Sequence, residues 1–163
     1  MSRNRFQGIA SSRATFLGFF NRLYFWRGKI TKMYDFSSYI GIPFASKGRD
    51  CTGLDCWGLV RLVYKEKLNI DLPSYVDEYV DATESKSVAN AMDTYSSTWL
   101  KVNDGKEKKF DVIIMSIRGL PIHVGVVVKF RYMLHVLDKL QTCIERYDTP
   151  IWSKRIKGFY RYA

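Results

Sequence analysis

The sequence predicts an α+β protein in which helices come first along the chain and pack on an antiparallel sheet that follows. Apolar residues at helical spacing after Asp55 predict a helix from Cys56 to about Leu68. After residue 110, short runs rich in β-branched and aromatic residues alternate with turn signals and predict an antiparallel meander. The expected strands are 111–117, 123–129, 133–137, 142–146 and 156–162. With 163 residues, 47% of them hydrophobic, the chain is long enough to bury a core of its own.

A cysteine stands at the start of the first predicted helix. Asp55 is a favourable N-cap, so Cys56 falls in the first turn, where backbone N–H groups have no partner within the helix. These groups and the helix dipole favour a thiolate, so we expect a lowered thiol pKa and a nucleophilic sulfur. Leu59, Val60 and Val63 share the face of Cys56 and suit packing against a sheet. A buried, unreactive cysteine is the alternative.

Two further segments complete the helical half of the chain. The segment 45–53 is expected to be a polar loop that leads to the first helix. A second helix is expected over 83–99, where apolar side chains recur at helical spacing, and we interpret it as a packing helix without a functional role.

The chain contains two histidines, and both lie in predicted strands. Alternation along the strand places His123 and Gly125 on one face, and the glycine leaves room for a closely packed helix beside the ring. His135, in the next strand, faces the same side only if the loop has an odd number of residues or a bulge shifts the register. A five-residue loop, 128–132, would place His135 opposite Gly125, whereas a two-residue turn at 130–131 would send the rings to opposite faces.

Cys56, His123 and His135 together fit the chemistry of a thiol hydrolase. His123 would take the thiol proton and later protonate the leaving amine. His135 would accept a hydrogen bond from the other ring nitrogen of His123 and so fix its tautomer and orientation. Free N–H groups at the helix start would stabilise the oxyanion. Histidines in strands are more often structural, but two at compatible positions behind a helix-start cysteine favour the catalytic interpretation.

A metal site competes for the same side chains. The chain offers enough sulfur and nitrogen ligands for tetrahedral zinc, namely Cys51, Cys56, His123 and His135. The spacing of the two cysteines is longer than is usual in zinc sites, so we expect no metal and no cofactor. Cys51 and Cys143 are interpreted as buried thiols, and the absence of a disulfide framework predicts folding in a reducing cytosol.

The positive charge is concentrated in an N-terminal arm, residues 1–32. The arm carries +7 of the net +10 and no acidic residue, whereas the remaining chain has 19 basic and 16 acidic side chains. This distribution argues against a nucleic-acid-binding domain. No apolar run reaches the roughly 20 residues of a membrane span, and no signal peptide is recognised.

Aromatic residues in the arm recur at helical spacing and predict a short amphipathic helix over about 11–26. Our first interpretation is an extension that docks into a neighbouring subunit. An interfacial membrane helix, a nucleic-acid arm and a transit peptide are the alternatives, in that order. Initiation at Met33 would remove the arm entirely.

Three blocks of the sequence resemble the NlpC-type cysteine peptidases, and within them the cell-wall peptidases in tail tips of long-tailed phages and gene-transfer particles. The blocks are GIPFASKGRDCTGLDCWGLVRLVY at 41–64, IHVGVVV at 122–128 and MLHV at 133–136. The resemblance extends from Met33 to Arg161 and implies a circularly permuted papain-like fold. It gives Cys56 the role of nucleophile, His123 that of base and His135 that of the orienting residue.

The resemblance also implies a function, the cleavage of stem-peptide bonds in peptidoglycan, often next to a D-glutamyl residue. It predicts a peptidase domain at 33–163 in a virion tail tip that is assembled in the host cytoplasm and acts in the cell envelope. The expected partners are peptidoglycan stem peptides and, through residues 1–32, neighbouring tail-tip proteins. Transient membrane contact fits the arm, and no nucleic-acid partner is expected. The alternative function is a non-catalytic tail-tip assembly component that keeps the fold and docks through the arm.

Overall fold

The computed structural model describes residues 23–26, 29–74 and 97–162, and the chain divides into two compact units, Met1–Tyr34 and Asp35–Ala163. In the first unit the described residues form an antiparallel hairpin of β1 (Leu23–Trp26) and β2 (Lys29–Lys32). The helix expected over 11–26 is therefore wrong for its last four residues, which form β1. The rest of that expected helix lies outside the described residues.

In the second unit, short elements lead to the first helix. A 3-10 helix (Ser37–Tyr39) and the paired strands β3 (Arg49–Asp50) and β4 (Gly53–Leu54) precede α1 (Cys56–Leu68). The segment expected to be a polar loop thus contains a short strand pair. The predicted helix is confirmed, because Asp55 caps it by accepting a hydrogen bond from the Gly58 N–H at 2.6 Å. Asn69 ends it with a left-handed φ of 58°.

A six-stranded antiparallel sheet follows, in the order β5-β10-β6-β7-β8-β9. Its strands are β5 (Leu100–Val102), β6 (Val112–Ile117), β7 (Leu120–Lys129), β8 (Tyr132–His135), β9 (Cys143–Arg146) and β10 (Ile156–Arg161). A one-turn helix, α2 (Pro150–Ser153), precedes β10. Strands β6 to β9 form the predicted meander, and β10 returns to lie between β6 and β5. The predicted α+β class is confirmed.

The end of the helix expected over 83–99 is not helical. Residues 97–99 form a turn and a bend before β5, and the rest of that expected helix lies outside the described residues. Trp99 instead packs its ring against Trp57 and Tyr64 of α1, with ring centroids 6.2 and 5.8 Å apart. Trp99 is therefore apolar because it packs on α1, and not because it lies on the face of a second helix.

The core forms where the sheet meets α1. Leu59, Val60 and Val63 are fully buried on the helix, which packs against β7. One buried cluster on the sheet draws on strands β5, β6, β7, β8 and β10, on α2 and on the residue after β9. It consists of Val102, Ile113, Met115, Val127, Met133, Tyr147, Trp152 and Phe159. Among the described residues, no helix has the length and apolar character needed to span a membrane.

Candidate active site

The start of α1 is fixed by a close approach between its first turn and the segment before it. A Cβ atom on Gly58 would lie 2.1 Å from the Gly48 carbonyl oxygen, so this position admits no side chain. Asp55 is buried and forms an ion pair with Arg49 at 2.8 Å in addition to its capping bond. The Asp-Cys-x-Gly block therefore encodes the local geometry that holds Cys56 as the first residue of the helix.

The surroundings of the Cys56 sulfur favour the protonated thiol over the thiolate. Burial raises the pKa of Cys56 to about 12, the Asp55 carboxylate contributes to the rise, and hydrogen bonds from backbone N–H groups oppose only part of it. These N–H groups belong to Val124, Trp57 and Cys56 itself. The expectation of a lowered thiol pKa is therefore wrong in the absence of substrate.

His123 and His135 face the same side of the sheet because of a β-bulge. Lys129 of β7 pairs with Tyr132 of β8, so the two strands are connected by a two-residue turn at 130–131. The predicted five-residue loop, 128–132, is therefore wrong. The register shifts between Val127 and Lys129. This bulge was the second arrangement that the sequence allowed, and it restores the alignment of the two rings.

Gly125 makes room for His135 itself. A Cβ atom at this position would lie 3.1 Å from the Leu134 carbonyl oxygen and 3.2 Å from the His135 Cβ. The sequence suggested that glycine makes room here for a packed helix. The structure shows that the neighbour which requires glycine is the adjacent strand, β8. The result is that His135 sits level with Gly125 and within reach of His123.

The two imidazole rings are in direct contact and uncharged. His123 Nε2 lies 3.0 Å from His135 Nδ1, and both rings are buried. Burial lowers the pKa of His123 to about 3, with smaller contributions from His135 and Arg155. Burial also lowers the pKa of His135, although the Glu145 carboxylate opposes this shift. Both rings are therefore neutral at pH 7.

Glu145 and Trp152 complete the surroundings of the rings, and neither belongs to the three sequence blocks that predicted the site. Glu145 Oε2 lies 3.2 Å from His135 Nε2 and accepts a hydrogen bond from Trp152 Nε1 at 2.8 Å. Trp152 stacks on His123 with 27° between the ring planes and meets His135 edge-on at 86°. Alternation along the predicted strand 142–146 places Cys143 and Glu145 on one face. Because Cys143 pairs with His135, that face is the one that carries the His135 ring, so Glu145 could have been found from the sequence pattern. No signal in the sequence pointed to Trp152.

These contacts assign one tautomer to each neutral ring. Since the Glu145 carboxylate accepts, His135 carries its proton on Nε2 and offers Nδ1 as an acceptor. His123 then donates through Nε2, which leaves the lone pair of its Nδ1 available. We call the chain from Glu145 through His135 to His123 the histidine relay. It ends at His123 Nδ1, the nitrogen of that ring that carries no proton.

The structure brings the two histidines together and places the Cys56 sulfur against the backbone N–H of Val124, the residue after His123. Within the described part of the chain, no hydrogen bond joins the Cys56 sulfur to an imidazole. Catalytic hydrogen bonds are often long in the absence of substrate and shorten when it binds. The Cys56 sulfur therefore lies against the stretch of β7 that carries His123, with backbone N–H groups around it.

The other two cysteines differ from expectation. Cys51 is exposed and Cys143 is partly buried, so the interpretation of both as buried thiols is wrong for Cys51. Among the described residues, the group with suitable spacing for a metal ion is His135, Cys143 and Glu145. The four-residue zinc site considered from the sequence is not formed.

Comparison with known proteins identifies the family. A profile of the NlpC/P60 family matches residues 21–161. This chain belongs to the NlpC/P60 family. The match begins at residue 21 and not at Met33, so the family region includes the β1–β2 hairpin, which the sequence blocks left out. A comparison with curated proteins gave no match.

Solved structures share the fold of this NlpC/P60 domain. They include an NlpC/P60 family protein from Bacillus cereus, with 22% identity, a TM-score of 0.56, and coverage of 76% of this chain and 36% of that chain. The NlpC/p60 domain of the peptidoglycan hydrolase SagA has 18% identity, a TM-score of 0.54, and coverages of 76% and 90%. A Staphylococcus aureus NLP/P60 protein described as similar to lipoprotein has 19% identity, a TM-score of 0.55, and coverages of 78% and 42%. This chain thus spans 36% of the length of the Bacillus cereus protein. The structural likeness to these proteins confirms the predicted papain-like fold.

Proposed function

We propose that this NlpC/P60 domain is a peptidoglycan hydrolase that cleaves stem-peptide bonds, with Cys56 as nucleophile, His123 as base and His135 as orienting residue. The observation that carries the proposal is the 3.0 Å contact between the two rings, next to the backbone N–H that holds the Cys56 sulfur. The likeness to a domain of SagA, described as a peptidoglycan hydrolase, supports the substrate class.

Because thiol and imidazoles are neutral, the proton moves as the substrate reacts. When the Cys56 sulfur attacks the scissile carbonyl carbon, His123 Nδ1 takes the thiol proton, and His135, held by Glu145, stabilises the charged ring. The N–H groups of Cys56 and Trp57 bind the oxyanion. The C–N bond then breaks, His123 returns the proton to the leaving amine, and water hydrolyses the thioester with His123 again as base.

Purified peptidoglycan provides the test of this reaction. The full chain should release soluble peptides identifiable by mass spectrometry, and Cys56→Ala should release none. Cys51→Ala is the matched control, since it removes an exposed thiol outside the histidine relay, and it should retain release. Release by Cys56→Ala at the wild-type rate would refute the nucleophile, and no release by folded wild-type protein at any pH would refute the hydrolase.

We further propose that the enzyme belongs to a phage or gene-transfer tail tip, is assembled in the host cytoplasm and acts in the cell envelope. The support is the similarity of its three sequence blocks to tail-tip peptidases and the basic, aromatic arm of residues 1–32, of which residues 1–20 precede the family match. We expect the arm to dock on a neighbouring tail-tip protein. Deletion of residues 1–20, which precede the family match, should abolish incorporation into particles but leave peptide release intact. Normal incorporation of this deletion would refute docking.

A non-catalytic assembly role is the second candidate. It is favoured because, among the described residues, no hydrogen bond joins the Cys56 sulfur to an imidazole, and burial raises the pKa of this thiol. Particles that carry Cys56→Ala distinguish the two. If the chain is only an assembly component, these particles should assemble and infect normally. Particles that assemble but fail to open the cell wall would favour the hydrolase.

A further inference from the structure

Three side chains with potential ligand atoms lie together on β8 and β9, and two of them, His135 and Glu145, belong to the histidine relay. Cys143 lies directly opposite His135, and Glu145, two residues along β9, projects from the same face as Cys143. The Cys143 sulfur is 3.6 Å and Glu145 Oε2 is 3.2 Å from His135 Nε2, and the three atoms lie within 4.8 Å of one another. We call these residues the β8–β9 cluster. Since strand pairing sets their spacing, the ligands are held in place before any ion binds.

We propose that the β8–β9 cluster binds a zinc ion and that bound zinc inhibits the peptidase; the inhibition, unlike the binding, rests on the proposed function. Tetrahedral zinc, with bonds of about 2.0–2.1 Å to nitrogen or oxygen and about 2.3 Å to sulfur, separates N from S by roughly 3.6 Å and N from O by roughly 3.4 Å. The corresponding distances in the cluster are 3.6 and 3.2 Å. A thiolate, an imidazole and a carboxylate with an open fourth position are a donor set that suits zinc.

The cluster is accessible from solvent and has an outer hydrogen bond that orients one ligand. The Glu145 side chain is 47% exposed, whereas His135 is 1% exposed, so an ion approaches from the Glu145 side. Trp152 Nε1 donates to Glu145 Oε2 at 2.8 Å and holds the carboxylate in position, as outer hydrogen bonds do in metal sites. On binding, Cys143 releases its thiol proton to solvent. The Nε2 proton of His135 is displaced as well and the ring takes up a proton on Nδ1, so that zinc can take the Nε2 lone pair.

Zinc on His135 Nε2 reverses the histidine relay. A neutral imidazole bound through Nε2 keeps its single proton on Nδ1, so that nitrogen becomes a donor towards His123 Nε2. His123 must then carry its own proton on Nδ1. No lone pair remains there to accept the thiol proton of Cys56. Zinc therefore inhibits the reaction without touching the nucleophile.

Binding is measured with Zn²⁺ alone on the full chain by equilibrium dialysis, and with Co²⁺ as a spectroscopic probe of the metal–thiolate bond. Wild type and Cys56→Ala should each bind one ion equally tightly and show thiolate-to-cobalt absorption. Cys143→Ala removes a direct ligand, so its affinity should fall by more than the roughly 100-fold that loss of an outer hydrogen bond can cause, and it should lack that absorption. Glu145→Gln serves as the second ligand variant if Cys143→Ala does not fold. Equal binding by a folded ligand variant, or loss of binding in Cys56→Ala, would overturn the cluster as the site.

Inhibition is measured as a ratio for each protein separately: the rate of peptide release with zinc divided by the rate without zinc. The wild-type ratio should fall well below one at saturating zinc and recover with a chelator, whereas the Cys143→Ala ratio should stay near one. A wild-type ratio near one at saturation would refute the inhibition. If wild type releases no peptide at all, nitrogen-15 NMR of His135 decides instead, because zinc should move its proton from Nε2 to Nδ1. Failure of the hydrolase and failure of the zinc site thus give different results.

Discussion

Replacement of Glu145 by alanine should slow the proposed peptidase without unfolding it. The carboxylate oxygen lies 3.2 Å from His135 Nε2 and holds the proton on that nitrogen. A hydrogen bond to a charged group contributes about 1.5–3 kcal/mol, and solvent screening of a side chain that is 47% exposed reduces this to about 1 kcal/mol. Since about 1.4 kcal/mol corresponds to a tenfold change in rate, kcat/KM should fall about fivefold.

Glu145→Gln is the matched control for this prediction. Its amide oxygen can still accept from His135 Nε2 and from Trp152 Nε1, so kcat/KM should stay within about twofold of wild type. Peptide release from a defined muropeptide measures the rates, and thermal unfolding confirms that both variants are folded. Wild-type kcat/KM in Glu145→Ala, or the same loss in Glu145→Gln, would refute the role of the carboxylate oxygen in setting the tautomer.

Three further predictions concern proton affinity and packing. Burial raises the pKa of Cys56 to about 12, so the rate of its alkylation by iodoacetamide should still increase with pH beyond about pH 9. A rate that is already constant from about pH 6 upwards would show a preformed thiolate and contradict the prediction. The pKa of His123 is lowered from 6.5 to about 3, so below pH 6.5 the unfolded chain binds a proton that the folded chain does not. The free energy of unfolding measured in urea should therefore decrease from pH 6.5 towards pH 3. In His123→Gln this decrease should be smaller, and an identical pH dependence of the two proteins would contradict the prediction. Gly58→Ala, whose Cβ would lie 2.1 Å from the Gly48 carbonyl oxygen, should lower the free energy of unfolding by about 2 kcal/mol or more, and an unchanged Tm would argue against the close approach.

The elements that could be predicted from the sequence are those with local causes. Helix α1 begins at Cys56 and ends at Leu68 because its cap, Asp55, and its left-handed terminator, Asn69, lie in the adjoining sequence. The strands of the meander follow from their own side-chain composition. The bulge after Val127 could be named only as one of two options, because alternation along a strand does not choose between registers.

The rest of the candidate site depends on contacts between distant segments. Trp152 reaches His123 from the short helix α2, which no periodic pattern marks in the sequence. The thiol pKa was predicted in the wrong direction for a similar reason. The helix start favours a thiolate through adjacent residues, whereas burial of Cys56 depends on what covers it in the folded chain, and burial is the larger effect.

Nitrogen-15 NMR of the imidazole rings tests the histidine relay most directly. His123 and His135 are the only histidines in the chain, so a long-range proton–nitrogen spectrum of the labelled full-length protein contains two ring systems. At pH 7, without metal, we predict that both rings are neutral, with the proton on Nε2 and an unprotonated Nδ1. A proton on Nδ1 of either ring, or a charged ring, would contradict the relay and the base that it presents to Cys56.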